Sequence, residues 1–337
     1  MDTVRQFTLM NQYTLATAIH TSGIGLHSGE RVAVRLLPAP VDHGIVFARV
    51  DLPNAPSFSI EDGVANETTL CTGLKCGQAT VRTIEHLMSS LAAMGVDNVR
   101  IELDAPEIPI FDGSAATWVF LIREAGLVEQ PMGRLAWRLK APIVIEKNGS
   151  RAELTPADRF TARVTIDFTH PAIDIQGQQA HWDGDTSSFA ERIARARTFG
   201  FMEQVEQMNA HGLGLGGSLD NAVVYGDHRV VNMDGLRVRD EAAQHKLLDA
   251  IGDVWVLGRL PLAHLEVYKP GHTINQELVA QARASGLLES VRWLNGAWVP
   301  DAPRSCAVPV SAASEGSLRG IVERARQRWR RHALNVE

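Results

Sequence analysis

An α+β fold in two parts is the fold class this sequence predicts, and three observations predict it. Segments that read as strands precede segments that read as helices, where a doubly wound chain would alternate them. That order repeats on either side of a polar stretch at 128–133, which holds Pro131 and Gly133. The 337 residues are enough for two cores of ordinary size. The stretch is the expected boundary, dividing residues 1–131 from residues 132–310, with 311–337 as a basic extension.

The elements follow from periodicity. Residues 99–103 alternate apolar and polar side chains, as a half-buried strand does, and residues 141–145 and 160–168 read the same way. A helix is expected from about Val81 to Met94, with Thr80 as its N-cap and Gly95 as its stop. Val81, Ile84, Leu87, Met88 and Leu91 give it one apolar face, with His86 nearly opposite and Glu85 on the flank. A second helix is expected from about Glu241 to Leu257, capped by Asp240. Its apolar side includes Ala243, Leu247, Leu248, Ile251 and Val254; His245, Asp249 and Asp253 share the other side.

Composition narrows the function classes. With 45% hydrophobic and 21% charged residues, the chain reads as a soluble globular protein, and its cysteine usage suits a reducing cytoplasm. It shows no apolar run of membrane-spanning length, and residues 1–14 do not read as a secretory signal. Cys71, Cys76 and Cys306 make neither a CxxC pair nor a disulfide framework. The net charge of −6 argues against nucleic acid as a partner, but leaves room for one anionic ligand held by local cations.

Chemistry concentrates on the two helices. His245 and Asp249 stand one turn apart and can converge on one ion, and His86 can complete a His2Asp set. Such a set suits zinc with a position left for water, and Fe²⁺ accepts the same donors. Glu85 is then placed to act as a base. Spacing alone does not separate this reading from a hydrogen-bonded pair on a solvated helix face, in a chain with 12 histidines.

Longer blocks carry more. VRTIEHLMSSL at 81–91, DN at 97–98, APEIPIFDGS at 105–114 and GIGLHSG at 23–29 closely resemble the UDP-3-O-acyl-N-acetylglucosamine deacetylases. So do ARTFGFM at 196–202, GGSLDN at 216–221, HKLLDAIGD at 245–253 and KPGH at 269–272. The blocks stand in the family's order from about Thr14 to Val310.

The resemblance implies two similar domains, each a β-sheet with two helices, the helices of both packed between the sheets and the active site between the domains. It implies hydrolysis of the acetamide of UDP-3-O-acyl-N-acetylglucosamine, giving the free amine and acetate in lipid A biosynthesis. His86, His245 and Asp249 match the metal ligands and Glu85 the general base. His272 matches the protonated acid, Asp253 its partner, Thr198 a hydroxyl donor to the oxyanion and Lys246 a substrate-binding lysine. For the UDP end the match is to Asp167 and Phe168, a ring able to stack on uracil or to close a strand-end core. Leu70 matches a residue beside the substrate. Cys71 falls near the metal without a ligand role, and His27 reads as a turn residue.

The resemblance also implies an acyl channel, formed by an insert near 193–224 with the apolar Phe199, Phe201, Val205, Met208, Leu213 and Leu215, although apolar residues at such spacing also make ordinary core. The run at 212–217 carries neither full glycine-rich phosphate motif. His272 precedes a capping-box pattern, Thr273 to Gln276, that opens a helix. A helix N-terminus disfavours a cation, so Asp253 is the group expected to keep His272 charged. In the tail, Ile321, Ala325, Trp329 and Ala333 recur among arginines. They form either a helix packed on its own domain or a basic amphipathic helix resting on anionic lipid. A monomer is expected. Two competing readings stay open: a zinc amidohydrolase of another N-acyl substrate, separable by substrate profiling, and a silent sugar-nucleotide sensor, which would lack a ligand or the base.

Overall fold

The computed structural model of the protein describes residues 11–301 apart from residues 69, 176 and 206–213. Expectations for Met208, Leu213, Cys306 and the 311–337 extension lie outside the described residues.

Alternation of apolar and polar residues builds two mixed sheets. The first has the strand order Ile19–Ile24, Arg31–Pro38, Val99–Leu103, Ile45–Arg49, Ser57–Ser59. Val32, Val34 and Leu36 point inward from its second strand, two residues apart as pleating requires. The second has eight strands, with Ile143–Lys147, Ser150–Pro156, Leu260–Tyr268, Leu135–Leu139, Leu288–Leu294 and Ala297–Pro300 in path order. Thr161–Thr165 runs parallel to Leu260–Tyr268 and carries Gln179–Trp182 on its far edge.

Four long helices pack on these sheets and on each other: α1 (Glu85–Met94), α2 (Ala116–Ala125), α3 (Glu241–Val254) and α4 (His272–Ala284). α2 lies on strand Ile19–Ile24, α3 on Thr161–Thr165 and Gln179–Trp182, and α4 on Ile143–Lys147 and Ser150–Pro156. α1 packs directly on α3, so a helix from the first half of the chain meets one from the second. The α+β expectation holds. No helix among the described residues is long and apolar enough to cross a membrane.

The crossing of α1 and α3 is close. A Cβ at Gly252 would stand 2.0 Å from the Glu85 carbonyl oxygen, so only glycine lets the two backbones approach this far. That approach brings His86 on α1 level with His245 and Asp249 on α3.

Several boundaries move. The stretch at 128–133 is part of a strand, Leu127–Gly133, antiparallel to Asn11–Leu15. The register slips between Asn11 and Tyr13, a bulge that takes up Pro131, which has no N–H for the ladder. Its polar Gln130 is satisfied internally, donating to the Ala39 carbonyl at 2.9 Å and accepting from Asn98 Nδ2 at 2.7 Å. Helix α1 starts four residues later than expected. Val81 pairs with Leu74 in a strand, the Arg82 amide donates to the Pro106 carbonyl, and Thr83 takes a left-handed φ of 56° that no helix allows. Thr80 therefore caps nothing. The expected strand at 141–145 runs Ile143–Lys147, and that at 160–168 only Thr161–Thr165.

Candidate metal centre and active site

Neither ligand-bearing helix face is solvated. Every residue of α1 is buried, and so is every residue of α3 except Lys246. Nearly all the charged and polar side chains on them are therefore shielded from water, and each needs a partner.

His86, His245 and Asp249 meet there. One donor atom from each lies within 4.8 Å of the other two. His245 Nε2 stands 3.4 Å and His86 Nε2 3.7 Å from Asp249 Oδ1, and the two rings meet edge to face with centroids 5.0 Å apart. Asp249 Oδ1 is buried and has no hydrogen-bond donor, while Oδ2 takes the Lys246 ammonium at 3.1 Å. His245 Nδ1 lies 3.0 Å from the Ala196 carbonyl, which sets Nδ1 as the protonated nitrogen and leaves the Nε2 lone pair facing the cluster. Burial, reinforced by His245, pushes the His86 ring down to about 3, and burial lowers His245 as well, so both are neutral ligands at neutral pH. Burial works against the Asp249 carboxylate, but His245 and Lys246 outweigh it and hold the group well below its ordinary range. Two neutral imidazoles and a carboxylate with an orphaned oxygen fit a divalent cation with room for a further ligand.

Two further groups bracket the cluster. Burial pushes the Glu85 carboxyl up to about 7, and its Oε2 accepts the Thr72 amide at 3.0 Å. Burial also opposes charge on His272, but Asp253 more than offsets it and the ring is raised to about 9. His272 Nδ1 lies 3.0 Å from Asp253 Oδ2 and 3.2 Å from Oδ1. The same carboxylate accepts the Thr72 hydroxyl at Oδ1 and Asn275 Nδ2 at Oδ2. A buried imidazolium beside an elevated carboxyl is an acid paired with a base.

A cavity opens on these groups, lined by Glu85, the three metal-ligand candidates, His272, Thr198, Phe199, Lys246, Leu70, Thr83, Leu26 and Ile110. It brings together most residues expected at the site. Lys246 sits with its ammonium 5.7 Å from the Phe199 ring centre. Asp167, Phe168 and Leu215 are not among the lining residues. Asp167 is exposed, bonded by Tyr268 Oη at 2.6 Å and Lys269 Nζ at 2.9 Å. Phe168 packs on Phe199 and Phe201, its ring centroid 5.7 and 5.5 Å from theirs. Leu215 is 58% exposed, its amide on the His27 carbonyl.

Two expected side-chain caps are absent, while the readings of His27 and Cys71 hold. Asp240 is the N-cap residue of α3, as expected, but its carboxylate bonds no helix amide and instead accepts Arg192 and Gln244 at Oδ2. The Thr273–Gln276 box does not close: α4 begins at His272 itself, Thr273 donates to the Thr68 carbonyl, and Gln276 to the Asp253 carbonyl. His27 is buried in its turn with both ring nitrogens unbonded. Burial pushes the Cys71 thiol up to about 12, which suits no ligand role.

Other residues went unanticipated. Glu107 is buried and accepts the His27 and Ser28 amides and the Thr83 hydroxyl, holding the turn that carries Leu26 and the strained Thr83 just ahead of Glu85. Glu107, Thr83, Leu26 and Ile110 all fall within the blocks named above. Thr72 falls in none, and its contacts cross 181 residues, so no spacing could have shown it.

The family described as UDP-3-O-acyl N-acetylglycosamine deacetylase matches residues 12–283. A UDP-3-O-acyl-N-acetylglucosamine deacetylase of Xanthomonas campestris pv. campestris (strain B100) is 46% identical over 271 residues, 80% of this chain and 89% of the relative. Proteins of the same description from Xanthomonas oryzae pv. oryzae (strain PXO99A) and Chromohalobacter salexigens are 45% and 46% identical, with the same two coverages.

Proposed function

Since the chain belongs to the UDP-3-O-acyl-N-acetylglucosamine deacetylase family, we propose that Glu85, His272 and the His86–His245–Asp249 cluster carry out its hydrolysis. The enzyme removes the acetyl group from an acylated UDP-sugar, a step of lipid A biosynthesis. It is a metalloenzyme whose ion we take to be Zn²⁺, with Fe²⁺ as the alternative. The observation that carries the reading is the buried, unbonded Asp249 Oδ1 facing two neutral imidazoles.

A divalent cation held there supplies Lewis acidity, drawing electrons from the amide carbonyl and acidifying water toward ~7. The chain's own groups do the rest. Glu85 takes the proton of the attacking water as its oxygen bonds to the carbonyl carbon. The developing oxyanion meets the Thr198 hydroxyl and the His272 imidazolium. His272 gives its proton to the nitrogen as the C–N bond breaks, so acetate and the free amine leave. Lys246 and Leu70 hold substrate beside the ion, and Phe199 opens the wall toward the acyl chain. Asp167, Phe168 and Leu215 act farther out, on the uridine and the chain.

We further take the protein to be a cytoplasmic monomer of two similar domains. The test of the chemistry is deacetylation of the acylated UDP-sugar by purified protein before and after chelation. Chelation lowers the rate by at least about a hundredfold, and stoichiometric Zn²⁺ or Fe²⁺ restores it. Full turnover by metal-depleted protein ends the proposal. Membrane contact is assigned to the 311–337 extension. Sedimentation with anionic vesicles falls on truncation at Ser311; equal sedimentation removes the extension from that role.

A further inference from the structure

Glu85 and His272 line the cavity from different helices, and one residue outside the cavity touches both Glu85 and Asp253, the carboxylate behind His272. Thr72 is fully buried and is not part of the lining. Its amide donates to Glu85 Oε2 at 3.0 Å, and its carbonyl accepts the Ile84 amide at 3.3 Å, immediately before Glu85. Its hydroxyl donates to Asp253 Oδ1 at 2.5 Å. The hydroxyl is the donor and the carboxylate oxygen the acceptor.

We propose that Thr72 is a positioning residue that sets the proton acceptor and the proton donor in register. The proposal rests on the reading of Glu85 and His272 as base and acid. The main-chain and side-chain groups of Thr72 divide the work. The amide and carbonyl pin the start of α1, and with it the Glu85 carboxyl. The hydroxyl occupies one oxygen of Asp253 while Asn275 occupies the other at 2.8 Å, so the carboxylate cannot turn away from His272 Nδ1. A carboxylate with both oxygens engaged offers the imidazole one fixed direction, and reaction geometry is sensitive to displacements of an ångström or less. Cys71, next to Thr72, is wholly buried, so the segment has little freedom to shift.

The hydroxyl can be removed without touching the amide. Thr72→Val keeps the shape and the bond to Glu85, and Thr72→Ser keeps the hydroxyl and drops the methyl. Kinetics of the metal-loaded enzyme are measured for wild type, Thr72→Val, Thr72→Ser, Asp253→Asn and Thr72→Val with Asp253→Asn. Thr72→Val is expected to lower kcat by about tenfold or more, the scale of a hydrogen bond to a charged group, with KM and metal content unchanged. Thr72→Ser restores most of the rate. In the Asp253→Asn background the valine costs clearly less than in the parent, since the hydroxyl's short bond, at 2.5 Å, is to that carboxylate and its contact with His272 Nδ1 is only 3.4 Å. Normal kcat for Thr72→Val, failure of serine to rescue, or additive effects in the double variant each overturn the proposal alone. Unimpaired turnover by Asp253→Asn removes Asp253 as the partner of His272, and the proposal with it, whereas full turnover by Glu85→Gln removes the acid–base reading on which the proposal rests.

Discussion

Replacing Glu85 by glutamine lowers kcat by about 10²- to 10⁴-fold and leaves the bound metal and the fold in place. The size follows from what the substitution keeps. Glutamine has the same shape, and its carbonyl oxygen still accepts the Thr72 amide that now bonds Oε2. It cannot take a proton. Burial already pushes the carboxyl up to about 7, so the ionised form carries a desolvation cost that the amide escapes. A structural role predicts that the variant is as stable as the parent, or more so, and equally active. A catalytic role predicts equal stability with the rate gone. Thermal unfolding, metal content per chain and kcat on one preparation separate the two, and a retained rate removes Glu85 as the base.

That a carboxyl and two histidines could be named from sequence, while their surroundings could not, has a physical cause. Helical spacing correctly put His245 and Asp249 on one side of α3 and His86 away from the apolar face of α1. The usual inference from such a pattern is a polar face turned to water. Here the opposite faces of both helices are buried in each other, which only the backbone approach at Gly252 permits, and a glycine inside a helix announces nothing by itself. Long blocks resembling a known family supplied the convergence that periodicity could not. Strand Val99–Leu103 was legible to the residue, because alternation on a half-buried sheet is a local property. The strand Leu127–Gly133 was not. Its Gln130 bonds to Ala39 and Asn98, partners far away in the chain, and composition alone makes such a stretch look like a loop. Thr83 misled for a related reason: its helix-compatible neighbours hide a positive φ held by Glu107.

Asp253→Asn should change the pH–rate profile in a way that only an acid–base pair explains. Turnover needs Glu85 ionised and His272 protonated, so in the parent the rate rises as Glu85 loses its proton and falls as His272 loses its own. Without a cation these groups stand at about 7 and about 9, and a bound divalent ion moves both limbs to lower pH, Glu85 most because it adjoins the ligand His86. Asp253 is what keeps the order right. Burial alone lowers the His272 pKa, as does its place in the first turn of α4, and the Asp253 carboxylate overrides both. Asparagine removes that charge, and the alkaline limb moves down toward the acid one. Should the two cross, the form with Glu85 ionised and His272 protonated becomes a minority at every pH, so the peak of the bell falls along with its breadth. A helix-packing role for Asp253 predicts a lower melting temperature with both limbs in place. An alkaline limb that stays where it was in the parent therefore excludes Asp253 as the group that keeps His272 charged, whatever happens to stability.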